Sequence, residues 1–205
     1  MLDEMTDLLA KREIFWELQN VAKKNPKILS PSAFFHWLST NYIIAMTIGA
    51  RRFVDQSRDS HSLWRMLFEI LEHPGAISRR SHTSFYRNTP PGFGNASFSN
   101  VAGTKGQCLS QQRVGSDLRA IENVSLHIRR FVNKRVAHLT AQGQLRRAPN
   151  FNELDTALDT IDRILCEYNL LLSAQGMSSA KATRQYDWTE VLTTPWIEKT
   201  TNGDV

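Results

Sequence analysis

The sequence predicts an all-α fold, a single-domain bundle of about five to six helices with a long loop inserted before its longest helix. Three observations predict it. Apolar residues recur at threes and fours over most of the chain, the period of a helix with one buried face. Cap and stop signals separate these stretches, among them Asn25-Pro26, Ser30-Pro31-Ser32 and Pro74-Gly75. The chain has 205 residues, 41% of them hydrophobic, enough for one core and too apolar for a disordered chain.

Taken in order, residues 2–24 carry Leu8, Leu9, Ile14, Phe15, Leu18 and Val21 at helical spacing, and Asn25-Pro26 ends that helix. Residues 33–58 form the second, apolar over most of its circumference, which suits a core or an oligomer interface. His36 sits in that apolar context and reads as a core histidine. A cap at residues 59–62 opens the third helix, which carries Leu63, Met66, Leu67, Ile70 and Leu71. A short basic piece with Arg79 and Arg80 follows. Residues 88–106 are dominated by Gly, Pro, Asn and Ser and read as a flexible loop, in which Phe93, Phe98 and Lys105 could meet RNA bases and phosphates. Gly103-Thr104-Lys105-Gly106 has the wrong order for a phosphate loop.

Residues 111–141 read as the longest helix. Leu118, Ile121, Ile128, Val132 and Leu139 make its apolar stripe. His127, Arg130, Lys134 and His138, three, four and four apart, share a second, cationic face. Asn150 or Asn152 then caps a helix bearing Leu154, Leu158, Ile161, Leu165 and Tyr168, with Gly176 as its stop. The Trp188–Trp196 region docks back on the bundle. The core thus covers about residues 2–197, with a frayed tail at 200–205.

Charge is unevenly distributed. Between His73 and Asn152 there are twelve Lys or Arg and two acids, Asp117 and Glu122, a balance of +10 against a whole-chain value of +5. A polyanion such as RNA would be drawn there. No run is long and apolar enough for a membrane span, and no secretory leader is apparent, so a cytoplasmic protein with no membrane partner is expected. The two cysteines, Cys108 and Cys166, read as free thiols. No Cys/His spacing suggests a metal, and no cofactor is expected.

Asn133-Lys134-Arg135-Val136-Ala137-His138, near the end of a long helix, resembles the signature helix of the HEPN superfamily. The Arg51-Arg52-Phe53-Val54-Asp55 run with His61-Ser62-Leu63-Trp64-Arg65-Met66-Leu67 resembles the AbiU-like abortive-infection branch. So does the later order Pro149-Asn150-Phe151-Asn152-Glu153-Leu154, Glu167-Tyr168-Asn169-Leu170-Leu171-Leu172, then Asp187-Trp188 and Pro195-Trp196-Ile197. The similarity spans about residues 33–197. It implies a helical homodimer in which an Arg, and a His four to six intervening residues later, form a metal-independent RNase site. The substrate's 2′-hydroxyl attacks the adjacent phosphate, the His moves protons and the Arg holds the phosphate.

By this resemblance His138 is the acid/base, with Arg130 and Asn133 beside it as catalytic residues. Lys134, His127, Arg135, Arg79 and Arg80 are the candidate RNA- and phosphate-binding residues. The chain departs from the pattern at Val132, which stands where the Arg is expected, and Arg130 lies seven intervening residues from His138. Two functions therefore remain open. One is an anti-phage or toxin-like endoribonuclease, with a neutralising antitoxin or defence-system partner. The other is an inactive helical dimer that binds a partner protein or nucleic acid. No tyrosine lies between Tyr86 and Tyr168, so the motif helix offers no acceptor for a nucleotidyl group.

Overall fold

The computed structural model describes residues 1–29, 32–136 and 147–196, and all eight α-helices found there pack without a strand. They are α1 (Leu2–Lys24), α2 (Ala33–Phe53), α3 (Leu63–Glu72), α4 (Arg79–Thr83), α5 (Phe93–Ala102), α6 (Gln111–Phe131), α7 (Phe151–Ser173) and α8 (Glu190–Thr193). Short 3₁₀ turns at Pro26–Ile28 and Ser84–Tyr86 follow α1 and α4, and a π-helical turn, Val132–Val136, continues α6.

Side-chain caps set several helix starts. Ser62 accepts a hydrogen bond from the Arg65 N–H, Ser110 from the Arg113 N–H, and Ser78 from the Ser81 N–H. Asn150 and Glu153 form a reciprocal capping box at the start of α7. Ala174, at φ 59°, closes α7 two residues before the expected Gly176 stop.

Helix α6 lies in the middle, against α2, α3 and α7. Its Val114, Leu118, Ile121 and Ile128 are buried, as the apolar stripe requires. Asp117 is buried too. It accepts from Arg113 Nε at 2.8 Å and from the Tyr168 hydroxyl at 3.3 Å, while Arg113 also pairs with Glu167. Burial and the Asp117 charge together push the Tyr168 phenol well above its ordinary pKa. Opposite ends of α6 therefore meet opposite ends of α7, and the two helices run antiparallel. The C-terminal segment returns to α1, where Trp188 and Arg184 both reach Glu17.

Three expectations change. Helix α5 occupies the middle of residues 88–106, which composition alone reads as a loop. Phe98 drives it: the ring is 0% exposed, and burying it stabilises by about 1.5–3 kcal/mol, enough to offset weak local propensity. Gly94 lets α5 approach α4, since a Cβ there would stand 3.2 Å from Thr83 Cα. His36 is exposed, not in the core. Helix α2 stops at Phe53, and its first half leaves Phe34 and Trp37 in solvent, Trp37 at 59% exposure, while Tyr42, Met46, Ala50 and Phe53 enter the core.

Asp117→Ala would leave the Arg113 guanidinium and Tyr168 hydroxyl short of their shared acceptor. The expected loss is about 3 kcal/mol in denaturant unfolding, with the denaturant dependence unchanged. A loss below about 1 kcal/mol, typical of surface pairs, would contradict a structural role for this carboxylate.

Candidate nucleic-acid interface

The end of α6 and the start of α7 border an open cleft of about 410 Å³. Helix α6 contributes His127 and Arg130, three apart and so on one face. Helix α7 contributes Asn150, Asn152, Glu153 and Thr156. Arg130 is exposed, and among the described residues no hydrogen-bond or ion-pair partner engages its guanidinium.

His127 is not idle. Its Nε2 lies 3.0 Å from the Arg147 carbonyl and its Nδ1 3.2 Å from Glu153 Oε1. Both partners are acceptors, an arrangement that only the doubly protonated ring satisfies in full. Glu153 is the hub. It takes a bidentate pair from Arg147, at 2.7 and 2.8 Å, and the Asn150 N–H at 2.8 Å. The Arg147 hydrogen bonds, then the Asn150 N–H and His127, hold its carboxyl down at about 2 against an ordinary 4.5. Helix α6 has no acid after Glu122, yet α7 delivers one to the His127 end of the cationic face.

One turn further on, Val132 is 5% exposed and packs in the core, so a charge at this position would be desolvated. Asn133 is exposed on the π turn, and its Oδ1 accepts from Arg51 Nε at 3.1 Å. Arg51, on the last turn of α2, also pairs with Asp55 at 3.0 Å. The Ser57 N–H, then its hydroxyl and Arg51, hold Asp55 down at about 2. Lys134 is half-buried on the same turn and is itself engaged in an interaction. His138 and the side chain of Arg135 lie outside the described residues.

The expected RNA contacts therefore divide. His127, Arg130, Asn133 and Lys134 gather on one end of α6 and its π turn. Arg79 and Arg80 sit on α4, which packs against α7 near its other end. Arg79 is corrected as a phosphate ligand. Its Nε donates to the Gly106 carbonyl, Nη1 to the Asn95 carbonyl and Ser99 Oγ, and Nη2 to the Gly103 and Thr104 carbonyls. All five guanidinium N–H groups are thus spent inside the fold, with the Phe98 ring 4.7 Å below. Arg79 clamps α5 and the strand-like turn after it. Arg80 remains exposed, without a described ion-pair partner.

Glu153, Arg147 and Arg51 are the participants that sequence reading did not assign. Glu153 was legible as a first-turn acid and as the third residue after the Asn150 cap, but its sideways reach to His127 leaves no local signal. Among the described residues no three His, Cys, Asp or Glu side chains converge as metal ligands would. No helix there is long and apolar enough to cross a membrane.

The family model HEPN_AbiU2, described as AbiU2, matches residues 1–191. The chain belongs to the AbiU2 family of HEPN proteins. Its helical bundle, with the long α6 leading into the motif residues, fits that membership. No curated protein and no solved structure gives a significant match.

The low Glu153 pKa sets a pH dependence for this AbiU2-family bundle. Because the folded value lies below the ordinary one, the stabilisation is complete above pH 4.5 and is lost as pH falls toward about 2. Chemical denaturation across that range should show the parent losing a component of stability that Glu153→Gln lacks. Parallel pH curves for the two would show that the carboxylate network is not formed in solution.

Proposed function

We propose that this AbiU2-family protein acts on RNA as a metal-independent endoribonuclease in anti-phage defence. The supporting observation is Arg130, a solvent-facing guanidinium at the mouth of a cleft, left without a counter-ion among the described residues while the neighbouring His127 is matched by Glu153. An unmatched Arg on that face suits a phosphodiester, whose two oxygens can take a bidentate fork.

The chemistry then needs little else. The substrate's 2′-hydroxyl attacks the adjacent phosphorus, and the 5′-oxygen of the next nucleotide leaves. His138 takes the proton from the 2′-hydroxyl or returns one to the leaving oxygen. Arg130 stabilises the charge that grows on the phosphoryl oxygens. Asn133, oriented through Arg51, fixes the strand beside it. Lys134 and Arg135 add positive potential, and His127 and Arg147 hold the cleft wall.

A second copy of the chain would supply the opposing His and Arg, and the exposed Phe34, Trp37, Ile44 and Ile48 of α2 offer it apolar area. A neutralising antitoxin would have to cover the same cationic face.

The other reading is a dimer that has lost catalysis and binds a partner. The burial of Val132 favours it, since that position now serves packing.

Expression in bacteria separates the two. The parent should slow growth and degrade RNA, His138→Ala should do neither, and Arg130→Ala should cut purified-enzyme activity by about 10²–10³. A harmless parent that leaves RNA intact excludes the nuclease.

A further inference from the structure

We infer that the hollow between the Ser84–Tyr86 turn, α5 and the C-terminal end of α7 receives an unpaired RNA base, a second contact point that rests on the RNA reading above. It measures about 320 Å³ and is lined by Tyr86, Phe93, Ser97, Asn100 and Leu170, among others. That is within the range of small-molecule pockets.

Its walls suit a base. Phe93 stands at the rim, 55% exposed, with its ring centroid 5.5 Å from that of Tyr86 and the planes tilted by 52°. An aromatic side chain left in water at the edge of a hollow is a stacking surface that accepts any base. The exposed Asn100 amide makes no described hydrogen bond and offers both a donor and an acceptor to a base edge. Arg87, directly after Tyr86, and Arg80 on α4 are exposed and have no described ion-pair partner, which leaves both for the flanking phosphates.

The floor is held in advance. His82 is 1% exposed; its Nδ1 lies 3.1 Å from the Leu171 carbonyl and its Nε2 3.0 Å from Ser97 Oγ. The Tyr86 hydroxyl lies 3.0 Å from the same Ser97 oxygen. A carbonyl only accepts, so in the neutral ring Nδ1 carries the hydrogen. Nε2 then accepts from Ser97, and Ser97 from Tyr86. Leu171 is among the last carbonyls of α7, which lack helical partners, and His82 satisfies it. The outcome of this buried chain is a fixed Tyr86 ring. A wall already ordered costs a ligand little to bind against.

The two sites also match in scale. Glu153, at the Arg130 cleft, and Leu170, in the hollow, are seventeen residues apart on α7, roughly 26 Å at the α-helical rise. A single strand can cover both within the ~4–16 nucleotides that such sites span.

The test uses the full chain and labelled 12-nucleotide 2′-O-methyl oligomers of A, U, C and G, which bind but cannot be cleaved through the 2′-oxygen. Anisotropy should give affinities that fall about tenfold in Phe93→Ala and recover in Phe93→Trp, with melting temperatures unchanged because the ring is on the surface. Asn100→Ala should alter the ranking of the four bases. Abasic strands should bind the parent and Phe93→Ala alike. If the parent binds RNA and Phe93→Ala binds it equally well, the base pocket is overturned and the RNA reading survives. If the parent binds no oligomer, both fall.

Discussion

The bundle depends on the antiparallel contact between α6 and α7, and a carboxylate fastens it at each end. At one end Asp117 is buried between Arg113 and the Tyr168 hydroxyl. At the other, Glu153 faces solvent and joins His127 to Arg147. The same kind of interaction does different work in the two settings. Removing one partner of the buried pair strands charge in a low dielectric, whereas the outer network is partly screened by solvent and its contribution shows chiefly as a dependence on pH. The outer carboxylate matters for another reason: it decides which cations near the cleft remain unmatched.

That division of charge shapes the proposed function. Glu153 balances His127 and Arg147, so among the described residues lining the cleft the guanidinium left unmatched is that of Arg130. Val132 is buried, so the position one turn along serves the core. The π turn that follows presents Asn133 outward to Arg51 of α2. The two faces of α6 thus divide: its inner stripe anchors it to three helices, and its outer side carries His127 and Arg130.

Much of this was legible in the sequence, for identifiable reasons. Helix α1 runs over the residues its periodicity marks, because Asn25-Pro26 leaves no alternative at its end. Ser62 and Asn150 cap where their hydroxyl and amide groups reach the backbone N–H three residues on. What escaped depends on partners distant in the chain. Helix α5 is made by the burial of Phe98 and the Arg79 clamp, neither visible in a Gly- and Asn-rich composition. His36 lies among apolar neighbours in sequence, but its stretch of α2 faces solvent. Arg79 counted as a basic residue until its five donors found carbonyls and a hydroxyl. The Glu153–His127 contact joins residues 26 apart, and no local rule carries it. Of the motif, His138 lies beyond the described residues, so its proposed role rests on the motif's HEPN resemblance and on the AbiU2 membership.

The chemistry of the RNA ends tests the central claim most directly. Purified protein would be incubated with RNA in a chelator of divalent metals, and the new termini analysed. Attack by the 2′-hydroxyl leaves a 2′,3′-cyclic phosphate and a 5′-hydroxyl, and a single 2′-O-methyl group at the cleaved nucleotide should block that cut. Intact RNA, or metal-dependent products ending in a 3′-hydroxyl and a 5′-phosphate, would contradict the account.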